Sequence, residues 1–234
     1  VITSLGSAGD ESSGPANSLQ GLAHTSKLSG NYVLGANIDA SATSGWNSGQ
    51  GFVPIGNYTN RFTGRFDGLG HTISGLTIDR PGSNFQGLFG WTNGTILRNV
   101  GLVGGSVTGK YEVGGLVGYN DGTVSHSYAT GSVTGNGGVG GLVGRNYPGT
   151  VSHSYATGSV TGNSSVGGLV GENNFYYDSD ENRYYYGTVS DSYATGSVTG
   201  DGAVGGLVGI NWGGAISHSY ATGSVTGNSS VGGL

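Results

Sequence analysis

Val-Gly-Gly-Leu-Val-Gly at residues 113–118 returns at 139–144, 166–171 and 204–209, and Val231 to Leu234 begin it once more. From Val113 the starts lie 26, 27, 38 and 27 residues apart, and Ser-Tyr-Ala-Thr-Gly-Ser-Val-Thr-Gly follows in step at 127–135, 154–162, 192–200 and 219–227. A fixed period in the twenties predicts a solenoid, whose stacked neighbours bury a core that no single unit could bury alone. Between Val113 and Gly138 the apolar positions are Leu116, Val124 and Val133, and Gly/Asn clusters at 120–122, 130–131 and 135–138 mark the bends. This spacing predicts an all-β, parallel β-solenoid (β-helix) with three short strands per rung of about 26–27 residues. Three columns should then form aliphatic ladders: Leu88, Leu116, Leu142, Leu169, Leu207, Leu234; Ile96, Val124, Val151, Val189, Ile216; and Val107, Val133, Val160, Val198, Val225. Asn120, Asn146, Asn173 and Asn211 form a fourth column at the first corner, where stacked amides can bond from rung to rung.

Residues 1–84 do not follow the period and read as irregular N-terminal rungs or a cap, and residues 85–234 as the repeat rungs, with Phe85 to Gly109 a transition into them. The whole is expected to be one continuous solenoid. Because Ser152–Leu169 is repeated identically as Ser217–Leu234 and the sequence stops inside a motif, it reads as a fragment of a longer array. Exposed rung ends would offer a surface for end-to-end self-association or filament formation. The 52 glycines and 9% charged residues are accompanied by 14 tyrosines and regularly placed Val and Leu, which favours order over disorder. A net charge of −5 with eight Lys and Arg supplies no basic stripe for nucleic acid, and no apolar run is long enough for membrane insertion. The lack of cysteine is compatible with secretion.

Gly-Gly-Leu-Val-Gly followed by Asn and Gly-Thr-Val resembles the GLUG motif. Asn31-Tyr-Val-Leu-Gly-Ala-Asn-Ile-Asp-Ala-Ser41, Gly51-Phe-Val-Pro-Ile-Gly56 and Phe66-Asp-Gly-Leu-Gly-His-Thr-Ile73 resemble passenger segments of filamentous haemagglutinin-like proteins. The resemblance implies a right-handed parallel β-helix in a large secreted bacterial surface protein, usually an adhesin, and hence an extracellular location. GLUG repeats also accompany peptidase domains in surface proteases similar to the immunoglobulin A peptidases. This chain contains no His-Glu-x-x-His to carry that activity, nor the Asn-Pro-Asn-type secretion signature of haemagglutinin N-termini.

Internal copies separate what the scaffold dictates from what varies. After each Gly-Leu-x-Gly come Trp91, Tyr119, Arg145, Glu172 and Ile210, with Asp121, Tyr147 and Trp212 close behind. The 38-residue rung carries its extra length at this corner, within residues 173–186, where Phe175, Tyr176, Tyr177, Tyr184, Tyr185 and Tyr186 surround Asp178, Asp180, Glu181 and Arg183. Loops inserted on a solenoid sit on one face, often the binding face. Aromatic rings can stack on sugars or anchor a protein, so Tyr119, Tyr147, Trp212 and the loop are the candidate surface for a host or environmental glycan or surface protein. No cofactor is expected. The acids at 178–182 could hold calcium, but lack the spacing and glycine of a known calcium loop.

His126, His153, Asp191 and His218 make a column that reads as a by-product of repetition, not a metal site. Tyr128, Tyr155, Tyr193 and Tyr220 make another, lying in the core if inward and forming an aromatic stripe if outward. Polysaccharide-active β-helix enzymes need two placed carboxylates, and no two acids share a position on neighbouring rungs, so the chain reads as non-enzymatic. Ser-Val-Thr at 106–108, 132–134, 159–161, 197–199 and 224–226 would direct two hydroxyl columns outward, as ice-binding solenoids do. That is the alternative function.

Overall fold

The computed structural model describes residues 1–233, so the Leu234 end of the leucine column lies outside it. It is an all-β solenoid of stacked parallel sheets. Helix is confined to Asp10–Ser13 and a few 3-10 turns, and strands run from Asn31 onward. One turn comprises Tyr111–Gly114, a bend at Gly115 and Leu116, Val117–Ser125, Tyr128–Ala129 and Ser132–Thr134, before Gly137–Gly140 starts the next. The stretches around Val117 and Val124 merge into one strand here. In the next rung they separate as Val143–Asn146 and Thr150–Ser152. Each segment pairs in parallel with its copies above and below, giving walls of ten, seven, six and five strands. The walls continue into the N-terminal region, where Arg65–Asp67, Thr72–Ser74 and Thr77–Asp79 pair with the rung that follows them.

Pairing is in register, so like meets like: Val117 with Val143, Val124 with Val151, Val133 with Val160 and Val139 with Val166. These valines, and Leu116, Leu142, Leu169 and Leu207, are buried. Full burial of such a side chain contributes about 1.5–3 kcal/mol, and each rung repeats the contribution. The close approach of successive rungs explains the glycines beside each leucine: a Cβ on Gly141 would collide with the carbonyl oxygen of Gly168, its copy on the next rung.

One column differs from the sequence expectation. Val124 pairs with Leu97, and Ile96 pairs with Thr123, because an irregularity between Asp121 and Gly122 accommodates an extra residue in Phe89–Arg98. A one-residue slip exchanges the faces of a strand, so Leu97 is in the core and Ile96 is half-buried outside it.

Two polar ladders run through the stack. The Asn120 amide donates to Asn146 Oδ1 at 2.8 Å, Asn146 to Asn173 Oδ1 at 2.8 Å, and Asn173 to Asn211 Oδ1 at 2.9 Å. Each of these Nδ2 groups also donates across its own corner, to the carbonyls of Gly122, Gly149 and Gly187. Asn120, Asn146 and Asn173 are fully buried, which fits the amide's paired donor and acceptor capacity. At the second corner Ser127, Ser154 and Ser192 each donate Oγ–H to the carbonyl two residues back. Each also donates its backbone N–H to the next rung's serine Oγ, at 3.2, 3.1 and 3.1 Å.

The residue before each serine of this column occupies the left-handed region: His126, His153, Asp191 and His218 have φ of 48–49°, and Asn99, which precedes Val100 one rung earlier, has φ of 55°. Asn, Asp and His tolerate that region best among residues with a side chain. The column is therefore selected by backbone geometry, and among the described residues no group of three or more His, Cys, Asp or Glu is placed to hold a metal.

Replacing Asn146 by Ala leaves buried groups of Asn120, Asn173 and Gly149 short of partners. We expect a loss of about 2–4 kcal/mol in urea denaturation with the β circular dichroism retained, since each buried orphan costs about 1–3 kcal/mol.

Candidate functional site at the variable corner

Just before each ladder asparagine stands the variable column, and register makes Trp91, Tyr119, Arg145, Glu172 and Ile210 successive neighbours. Trp91 and Tyr119 stack with centroids 4.0 Å apart and planes 22° from parallel. Phe85 packs against Trp91 at 4.6 Å, and Arg61, contributed by the N-terminal region, lies over its ring at 4.7 Å. Arg145 continues the stack, with its guanidinium 5.7 Å from the Tyr119 ring and 5.1 Å from the Tyr147 ring. Two carboxylates hold it, Glu172 at 3.6 Å and Glu112 at 3.9 Å. The Asn174 side-chain amide lies against it, within 3.1 Å of Nε and Nη2.

The long rung does not end in an irregular loop. Phe175–Asp178 and Arg183–Tyr186 form an antiparallel hairpin, closed at its base by Gly187 N–H donating to the Asn174 carbonyl at 2.7 Å. At its tip Asp178 Oδ1 accepts from the backbone N–H groups of Asp180 and Glu181, at 2.9 and 3.1 Å. Asp178 is thereby a turn cap, while Tyr177 donates to Asn182 at 2.6 Å and Tyr185 to Glu181. Strand alternation sorts the rings onto two faces. Phe175, Tyr177, Tyr184 and Tyr186 share one face and are all exposed. Tyr176, Tyr185, Asp178 and Arg183 share the other.

Tyr147 separates two clefts. The first, about 430 Å³, lies between the hairpin and the earlier rungs and is lined by Arg61, Trp91, Tyr119, Asp121, Tyr147, Pro148, Tyr176 and Tyr185. The second, about 380 Å³, is lined by Arg145, Tyr147, Glu172, Asn174, Phe175 and Trp212. Of the residues expected from sequence, Tyr119, Tyr147, Tyr176, Tyr185, Phe175 and Trp212 thus reach a cleft. Tyr177, Tyr184 and Tyr186 form the hairpin's open face, and Asp178, Asp180, Glu181 and Arg183 lie toward its tip. Arg61, Trp91, Glu112, Arg145 and Glu172 were not among the expected contact residues. The variability of Arg145 and Glu172 between copies was the available signal, whereas Arg61 and Glu112 arrive through the fold.

Burial raises the Glu112 carboxyl, opposed by the Arg145 charge and reinforced by Glu172. It likewise raises Asp121 against the pull of Arg61, and pushes the Tyr119 hydroxyl far above the usual phenol range. Elsewhere on the surface, Tyr128, Tyr155, Tyr193 and Tyr220 point outward while the adjoining Ala129, Ala156 and Ala194 are buried. Their rings stack nearly parallel at 4.8, 4.9 and 5.3 Å, forming a stripe and not part of the core. The Ser-Val-Thr strands place valine inward, with serine and threonine columns in register outside.

The repeat geometry, with its asparagine ladder and glycine-flanked leucine, defines a tandem-repeat β-solenoid. The GLUG motif matches four times, at residues 109–134, 135–161, 162–199 and 200–226, about half of the chain. The chain belongs to the GLUG-motif family. It is 47% identical over 119 residues, 48% of its length, to halomucin from Haloquadratum walsbyi, of which the match spans 1%. It is 40% identical over 83 residues, 33% of its length, to a protein provisionally named a Gly-rich membrane protein from Evansella cellulosilytica, of which the match spans 10%. A solved Bacteroides ovatus structure, provisionally named an immunoglobulin A1 protease, superposes with a TM-score of 0.58 at 23% identity, covering 84% of this chain and 60% of that one. That likeness establishes the fold alone. Among the described residues no helix is long and apolar enough to cross a membrane.

An acid with a raised pKa carries a cost when ionised in the folded state, so its contribution is most favourable below its ordinary range and declines as pH rises. Glu112→Gln removes that titration. Its stability relative to the native chain should therefore improve from about pH 4 to pH 7, measured by urea denaturation at each pH.

Proposed function

We propose that this chain is a non-enzymatic structural segment of a secreted cell-surface protein, with an adhesive corner that contacts a glycan or a surface protein. The observation that carries the reading is the hairpin, which rises at the corner that carries the differences in rung length. It exposes Phe175, Tyr177, Tyr184 and Tyr186, and Trp212 stands exposed nearby. Exposed clustered rings are costly for solubility, and patches of this kind mark contact sites. The names of halomucin and the Gly-rich membrane protein agree with a surface location. A non-enzymatic role agrees with the state of the corner acids, since Glu112 and Glu172 both hold Arg145 and Asp178 caps a turn. Neither arrangement leaves a carboxyl pair aimed at a shared substrate position.

Excising residues 175–186 joins Asn174 to Gly187 and recreates, as Asn173-Asn174-Gly187, the short corner seen at Asn120-Asp121-Gly122. The excised chain should keep its β circular dichroism and melting temperature and lose attachment to target cells and to surface glycan arrays. Undiminished attachment would place the contact surface elsewhere.

A further inference from the structure

The second cleft has a construction that narrows its ligand, on the basis that the corner is adhesive. Three of its six lining residues are aromatic: Trp212, 57% exposed, Phe175, 37% exposed, and Tyr147. Phe175 is propped by Tyr184 at 5.3 Å and Tyr186 at 6.3 Å, so its position is set by hairpin packing. The rest of its lining is planar and polar: the Arg145 guanidinium, the Glu172 carboxylate and the Asn174 amide. Arg145 is fixed by Glu112, Glu172, Asn174 and two tyrosine rings, so little side-chain entropy remains to be lost on binding.

We infer that the cleft between Tyr147 and Trp212 binds neutral sugars, with the C–H face of a pyranose on Trp212 or Phe175 and its hydroxyls on Arg145, Glu172 and Asn174. Rings beside convergent planar donors and acceptors fit a ligand with one apolar face and a rim of hydroxyls. The volume of about 380 Å³ lies in the range of small-ligand pockets, whereas a stable protein partner needs about 800 Å² from each side. Charge decides between sugars. One guanidinium lies between two carboxylates, so the site has no cation to spare for a sialic acid, uronate or sulfate, and repels them.

The test titrates the intact chain calorimetrically with neutral cello-, malto-, manno- and galacto-oligosaccharides, and in parallel with sialyllactose and oligogalacturonate, at low and high salt. Neutral sugars should bind, and the acidic ones should bind about tenfold more weakly at low salt, with the gap narrowing as salt screens the carboxylates. Trp212→Ala and Phe175→Ala should each weaken binding about tenfold, as expected for central aromatic anchors, while Tyr155→Ala on the separate tyrosine stripe should not. Both anchors are exposed, and an unchanged melting temperature verifies folding. Acidic sugars binding as tightly as neutral ones, or a Trp212→Ala chain binding unchanged, would overturn the assignment. Hairpin-dependent attachment with no sugar bound in either arm would overturn it while sparing the adhesive reading. Loss of both would overturn both.

Discussion

In-register parallel stacking is the constraint from which the rest of the molecule follows. Once each residue lies over its own copy, every position must tolerate itself as a neighbour at the strand spacing. Valine and leucine do so by packing, as at Val133 over Val160. Buried carboxylates could not, because an ionised acid accepts only and would repel its copy. Asparagine can, since its amide offers donor and acceptor to opposite sides, and the 2.8 Å links from Asn120 to Asn146 and on to Asn173 use both. Serine solves the same problem at the second corner by pairing hydroxyl with backbone, as Ser127 N–H does with Ser154 Oγ. These ladders also fix the register, because a shifted rung would bury unpaired amides.

The same constraint explains why insertions gather at one place. The walls are locked by their neighbours on both sides, but the segments after Asn146, Asn173 and Asn211 leave the parallel wall. An insertion there need only return to its starting point, which Gly187 N–H bonded to the Asn174 carbonyl achieves. Twelve residues of hairpin are thus added between rungs that remain paired, Val170 with Val208 and Val189 with Ile216. Arg145 ties the addition to the scaffold through its contacts with Glu112, Glu172, Asn174 and Tyr147. Rigidity of the corner follows from rigidity of the stack, and a rigid set of rings and planar polar groups is what a recognition surface requires.

Much of this was legible in the sequence because repetition supplies its own alignment. The leucine and valine columns, the asparagine ladder and the outward Ser and Thr follow from period and alternation. Ile96 misled because one additional residue in Phe89–Arg98 shifts the register locally, and a period counted from motif to motif does not reveal where a strand absorbs an insertion. Residues 173–186 read as a loop. Yet Phe-Tyr-Tyr-Asp and Arg-Tyr-Tyr-Tyr flanking a polar turn are two β-forming runs, and their composition carried the hairpin signal. The direction of Tyr128 and its copies was undetermined until the burial of Ala129 fixed it. Arg61 over Trp91 depends on how the non-repeating N-terminal region folds against the first rungs, which no internal comparison could supply.

The central claim is the register itself, and the absence of native cysteine makes it directly testable. Thr134 and Thr161 are paired on adjacent rungs, with both side chains outward. Their double replacement by cysteine places two thiols at a Cα separation suited to a disulfide. A Thr134→Cys, Ser159→Cys chain, offset by two residues along the strand, places them beyond the roughly 7 Å limit. Under mild oxidation the first chain should cross-link nearly completely within the monomer and the second should stay reduced. Equal cross-linking in both, or none in the first, would contradict the stacked register on which the account rests.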